Sequence, residues 1–132
     1  LTVRVSVGLQ WVIRLSWLAQ LALGLSFWTG NLLALVPLHM LNGLLFSLLL
    51  EAQAGLAAWA GVSWRLVLLS VVWGLLVPAL GVTQTELLPG DLHWLVQGAH
   101  LLVGLVAIGL AQRLARGAQA RLAERSDALA TR

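Results

Sequence analysis

Residues 32–50 read LLALVPLHMLNGLLFSLLL, an apolar run with no Asp, Glu, Lys or Arg and a single histidine, His39. At about 1.5 Å of helix rise per residue, such a run matches the roughly 30 Å hydrocarbon layer of a bilayer. Three further runs have the same character, at about 12–28, 66–82 and 92–111. The composition agrees: 60% of the 132 residues are hydrophobic, 10% are charged, and the mean hydropathy is +0.91. A soluble domain of this size would leave too much apolar surface in water. The expected fold is therefore all-α, an integral membrane four-helix up-and-down bundle over 1–111, followed by a basic cytoplasmic helical tail over 112–132.

All eight basic residues are arginines, and they fall on one side of this four-span reading. Arg4 and Arg14 precede or enter the first span, Arg65 lies in the second connection, and Arg113, Arg116, Arg121, Arg125 and Arg132 follow the fourth. The first and third connections, Thr29 to Asn31 and Thr83 to Asp91, contain no arginine. An excess of cations marks the cytoplasmic side, so both termini are expected there, in a multi-pass protein of the cell membrane such as a bacterial inner membrane. The pI of about 11.5 reflects this asymmetry and attraction to anionic lipid; no nucleic-acid partner is implied. No cleavage pattern for a signal peptide accompanies the first span. With no cysteine in the chain, disulfides, thiolate ligands and iron–sulfur clusters are excluded.

The connections constrain the bundle. A turn as short as Thr29-Gly30-Asn31 makes the first two spans antiparallel neighbours, with Asn31 expected to cap the second helix; Asp91, after Pro89 and Gly90, is expected to cap the fourth. Glu51 to Trp64 reads as a helical extension of the second span ending in an interfacial turn. Trp11, Trp28, Trp59, Trp64 and Trp94 suit the headgroup level. Pro37 and Pro78 fall inside spans, where proline can bend a helix, and Pro37 would thereby aim His39 inward.

Depth singles out two residues. The second and fourth spans run in the same direction, and His39 and His100 lie seven and eight residues beyond their first residues, roughly 10–12 Å in. In an up-and-down bundle these spans are diagonal across the core, so two imidazoles can approach one flat cofactor from opposite faces. Each histidine is followed four residues later by a glycine, Gly43 and Gly104, on the same helix face. Gly24 and Gly74 on the other two spans are expected near the same level, and the four glycines together are read as leaving room for a ring edge, although each singly serves helix packing as well. The chain thus divides into two similar hairpins. Two histidines without further inward ligands suit a porphyrin, which brings four nitrogens of its own, better than zinc or copper.

This pattern, from about Gly24 to Gly104, resembles the four-helix core of membrane-bound b-type cytochromes, the group that includes respiratory cytochrome b and the transmembrane ferric-reductase and ascorbate-type cytochromes. The resemblance implies haem b as cofactor, held by His39 and His100 as metal ligands, with Gly24, Gly43, Gly74 and Gly104 giving the ring its space. Where many members stack two histidines per ligating helix, the second span here has only His39, which implies one haem. The implied activity is electron transfer between the haem and a quinone or a partner redox protein, in a homo-oligomer or larger membrane complex. His93 and Gln97 share the face of His100 and are candidates for a propionate or quinone contact; histidine takes and gives protons near neutral pH. The competing reading is a scaffold or accessory subunit whose histidines serve helix packing. A proton-coupled exporter is disfavoured, because all five acidic residues read as lying at or beyond span ends.

Overall fold

The computed structural model describes residues 2–131; Leu1 and Arg132 lie outside the described residues. Four helices form a single bundle: α1 (Thr2–Trp28), α2 (Val36–Ala60), α3 (Trp64–Thr83) and α4 (His93–Ala130), with short 3-10 turns at Leu33–Leu35 and Gln84–Glu86. Cross-helix pairs fix the directions. Phe27 meets His39, Ser16 meets Asn42 and Ser6 meets Gln53, so α1 and α2 are antiparallel. Trp73 reaches Val103 from α3 to α4, and Gly81 stands against His100, so these two are antiparallel as well. Among the described residues α2 and α4 touch across the bundle while α1 and α3 do not, which places the two histidine-bearing helices on its short diagonal.

Three helical stretches, Leu33–Ala60, Trp64–Glu86 and His93–Ala130, are long and apolar enough to cross a membrane. The expected first span falls short of that standard. α1 has the length, but Arg14, Ser16, Trp17 and Gln20 interrupt its apolar run.

The helix ends depart from expectation in instructive ways. α2 begins at Val36, with Pro37 in its first turn, so the proline starts the helix and does not bend it toward His39. Asn31 does not cap α2: its amide donates to the carbonyl and hydroxyl of Thr29, inside the turn. Asp91 does not cap α4 either, whose N-cap is Leu92 with no side-chain bond. Gly30, at φ 78°, closes the first turn in the left-handed region that only glycine enters freely. The extension expected over Glu51 to Trp64 is present: α2 runs on to Ala60 and stops at Gly61 (φ 89°), whose N–H reaches the carbonyls of Ala57 and Ala58 while that of Val62 returns to Ala57, a left-handed helix terminus.

The close-packed core lies at the end of the bundle away from the Thr29–Asn31 turn. Ile13, Leu50, Ala54, Ala57, Ala107, Ala111, Leu114 and Ala118 are fully buried there. Alanine at so many of these positions lets the helix backbones approach closely. The expected helical tail is the direct continuation of α4, and it packs into the bundle. Its Leu114, Ala118 and Leu122 belong to the same core, and Gly117 packs on Val62 of the α2–α3 turn.

Candidate functional site

His39 and His100 come together near the opposite, loop-bearing end of the bundle. Their ring centroids are 6.4 Å apart with the planes inclined at 55°. A metal ion bonds an imidazole nitrogen at about 2 Å, which puts the ring centre about 3 Å away and two opposed rings roughly 6 Å apart. Both rings are half-buried, and the Nδ1 atom of each is buried without a hydrogen-bond partner.

Each ring is seated by its own hairpin. On α1, Gly24 lies under His39: a Cβ there would stand 3.5 Å from the histidine Cε1. On α3 the equivalent position is Gly81, where a Cβ would stand 3.4 Å from Cε1 of His100. Phe27 adds an edge contact to His39, with centroids 5.3 Å apart at 71°. The glycine expected to serve His100, Gly74, is elsewhere: it is buried midway along α3 against Glu51 and Leu50 of α2. Gly74 and Gly81 are seven residues apart and so share one face of α3, about 10 Å apart along its axis; the expectation takes the right face at the wrong depth.

The glycines one turn beyond the histidines also differ from each other. Gly43 is filled by the side chain of Gln20, whose Nε2 would lie 2.7 Å from a Cβ at that position. Gln20 is held there by Asn42, which donates to its Oε1 at 2.9 Å and to the carbonyl of Ser16 at 2.9 Å, while the Ser16 hydroxyl donates to Asn42 Oδ1 at 2.9 Å. At Gly104 a Cβ would meet nothing within 4 Å.

Two tryptophans brace α4 just below His100. Trp17 of α1 donates its indole N–H to the Gly104 carbonyl at 3.2 Å, and Trp73 of α3 donates to the Val103 carbonyl at 2.9 Å. The five tryptophans expected at the headgroup level are all exposed, so these two half-buried ones form a separate class. A signal for them exists in the chain: Trp17 precedes Gly24 in WLAQLALG and Trp73 precedes Gly81 in WGLLVPALG. This repeat marks the inward face of α1 and α3, and it picks Gly81 over Gly74.

The outer candidates are less engaged with the pair. His93 is the first residue of α4, and its Nδ1 donates to the Leu87 carbonyl at 3.2 Å, tying down the loop before it. Gln97 is half-buried between His93 and His100.

Whether the residues suit a haem can be read from the donor set. The two imidazole centroids stand at a separation suited to one six-coordinate ion between them. No group of three or more His, Cys, Asp or Glu residues comes together among the described residues, so protein side chains alone do not complete a zinc or copper shell. Comparison of the chain with protein-family models, curated proteins and solved structures finds no match.

Proposed function

We propose that the chain is a four-span membrane bundle holding one haem b between His39 and His100, and that it passes electrons between that haem and a quinone or a redox partner. The observation that carries this reading is the imidazole pair itself, with 6.4 Å between ring centres, one ring from each hairpin, and each ring seated on a glycine of its own hairpin. Bound haem supplies one-electron chemistry at iron. The chain's part is positional. Gly24 and Gly81 let the rings lie close against α1 and α3, Trp17 and Trp73 fix the segment of α4 next to His100, and the apolar helices exclude water. The scaffold alternative asks the histidines to hydrogen-bond between helices, and both buried Nδ1 atoms have no partner.

The test is optical. Protein expressed with ample haem and then reduced should show the sharp visible bands of a low-spin, six-coordinate haem b, lost in both His39→Ala and His100→Ala and kept in His93→Ala. Colourless protein, or bands unchanged by either ligand substitution, sinks the proposal.

A further inference from the structure

Glu51 sits inside a helix and away from its ends. It lies within α2, nine residues before Ala60 and hence about 13 Å from that helix end. Its carboxylate is pressed against Gly74, ten residues along the twenty-residue α3 and thus midway through it. Both helices belong to the stretches able to cross a membrane. On the membrane reading of the bundle, this contact with the middle of α3 sets the carboxylate deeper than a count along the apolar runs does.

The carboxylate is also unpaired. Its Oε1 is buried with no hydrogen-bond partner, and the only ion pair among the described residues is Arg121 with Glu124. From α3 the neighbours are Gly74 and, one turn earlier, Ser70, whose hydroxyl is committed to the Leu66 carbonyl. On the other three helices, Arg14 of α1 lies over Trp11 at 5.2 Å and Arg65 of α3 over Trp64 at 5.9 Å, while Arg113 of α4 is exposed. An ionised carboxylate held in this way has no counter-charge, and its desolvation is costly unless it takes up a proton.

Glu51 has polar company along its own helix. His39, Gly43, Ser47 and Glu51 occupy one ridge of α2 at four-residue steps, about 6 Å apart. Three of the four carry a buried polar atom without a partner, namely His39 Nδ1, Ser47 Oγ and Glu51 Oε1, and the fourth, Gly43, is covered by the Gln20 amide. A ridge of this kind winds around the helix, which is why its first members face α1 and its last faces α3. With the Gln20 amide at Gly43, these groups form a polar seam about 18 Å long along α2.

We propose that Glu51 is a membrane-embedded proton-binding group at the inner end of this seam. Its carboxylate takes a proton from water at the Gly61–Ser63 end of the bundle and returns it there or along the seam, with no other bond made or broken. The inference rests on the membrane reading of the bundle and is independent of haem.

A hydrophobic carbodiimide tests it on the full chain in liposomes, followed by mass mapping, with a water-soluble carbodiimide and an amine in parallel. The reagent adds a protonated carboxyl across its C=N bond, the proton passing to nitrogen, and the adduct rearranges to a stable acylurea. The apolar reagent should label Glu51 at least tenfold faster than Glu86, Asp91, Glu124 or Asp127, with labelling falling as pH rises. An infrared carboxyl C=O band absent from Glu51→Gln should shift within minutes of transfer to D2O. Wild-type mapping suffices if the variant fails to fold. Absence of label from both reagents, or a band that does not exchange over hours, overturns the inference and leaves a permanently neutral structural acid. Labelling of Glu51 by the water-soluble reagent as fast as Glu86 overturns it together with the membrane reading. Colourless protein with a labelled, exchanging Glu51 upholds it and sinks the haem proposal alone.

Discussion

Gly24 on α1 lies against the Cε1 edge of His39 on α2, at a distance that leaves space for a methyl group and nothing larger. A Cβ at 3.5 Å is in ordinary contact, so Gly24→Ala should keep the histidine in place. Gly24→Leu drives added atoms into the ring, and overpacking of that kind costs about 1–3 kcal/mol. Reduced-minus-oxidised spectra should therefore show near-normal pigment in Gly24→Ala and a large loss in Gly24→Leu. Equal pigment in both would detach Gly24 from the site.

The same comparison at α3 distinguishes Gly81 from Gly74. Gly81→Leu should behave like Gly24→Leu, since a Cβ there is 3.4 Å from His100 Cε1. Gly74→Ala should leave the histidine pair undisturbed and act through Glu51, whose carboxylate occupies the space of the added methyl. Thermal unfolding should show Gly74→Ala destabilised in the wild-type background and neutral or stabilised when combined with Glu51→Ala. A coupling of about 0.5–3 kcal/mol is expected between such touching groups. Additive effects would mean that the two residues do not touch.

Much of this arrangement is legible in the chain because it follows from hydropathy and counting. Apolar runs give the helices, the three-residue turn at Thr29–Asn31 gives an antiparallel hairpin, and similar offsets from the starts of the apolar runs at Leu32 and Leu92 bring His39 and His100 to one level. Depth is less accessible, since span ends read from hydropathy shift by a turn or more and glycines seven residues apart share one helix face. That is how Gly74 displaces Gly81 in a sequence reading. Packing is harder still: the helical extension over Glu51 to Trp64 is legible, but the burial of Ala54, Ala57 and Ala60 and the contact of Glu51 with Gly74 depend on neighbours that hydropathy does not record. Gln20 is the subtlest case. Its role depends on a gap at Gly43 in another helix, which no local signal reveals.

Trp17 and Trp73 should act as braces for the fourth helix. Replacing either by phenylalanine keeps most of the ring and removes one N–H to a carbonyl beside Gly104, a change worth about 0.5–1.5 kcal/mol. The two effects should be similar, and the visible bands should broaden or shift as His100 loosens. The same substitution at Trp28 or Trp94, both exposed, should leave spectrum and unfolding temperature unchanged.

The arginine distribution predicts which end faces the cytoplasm. A cysteine at Thr85, in the exposed loop between α3 and α4, should react with an impermeant maleimide added to intact cells. One at Ala128, exposed near the end of α4, should react only after the membrane is opened. The reverse pattern would invert the bundle and assign the histidine pair to the inner half.

Gly43 and Gly104 hold matching places after the two histidines, yet their surroundings predict opposite responses to the same small change. Alanine in place of helical glycine is favourable by about 0.8–1 kcal/mol on propensity alone. At position 104 nothing lies within 4 Å of the new methyl, so Gly104→Ala should show that gain as a higher unfolding temperature with or without haem. At position 43 the methyl takes the place of the Gln20 amide, and moving Gln20 breaks its 2.9 Å bond from Asn42. Loss of that bond in an apolar interior costs about 0.5–1.5 kcal/mol and leaves the Asn42 amide short of a partner. Gly43→Ala should therefore be neutral or destabilised, whereas Gly43→Ala added to Gln20→Leu should be more stable than Gln20→Leu alone by the propensity gain, because the bond and the displaced amide are already gone there. Differential scanning of these proteins decides it: parallel gains at both positions would show that Gln20 does not fill Gly43, and the two hairpins would then be equivalent below their histidines.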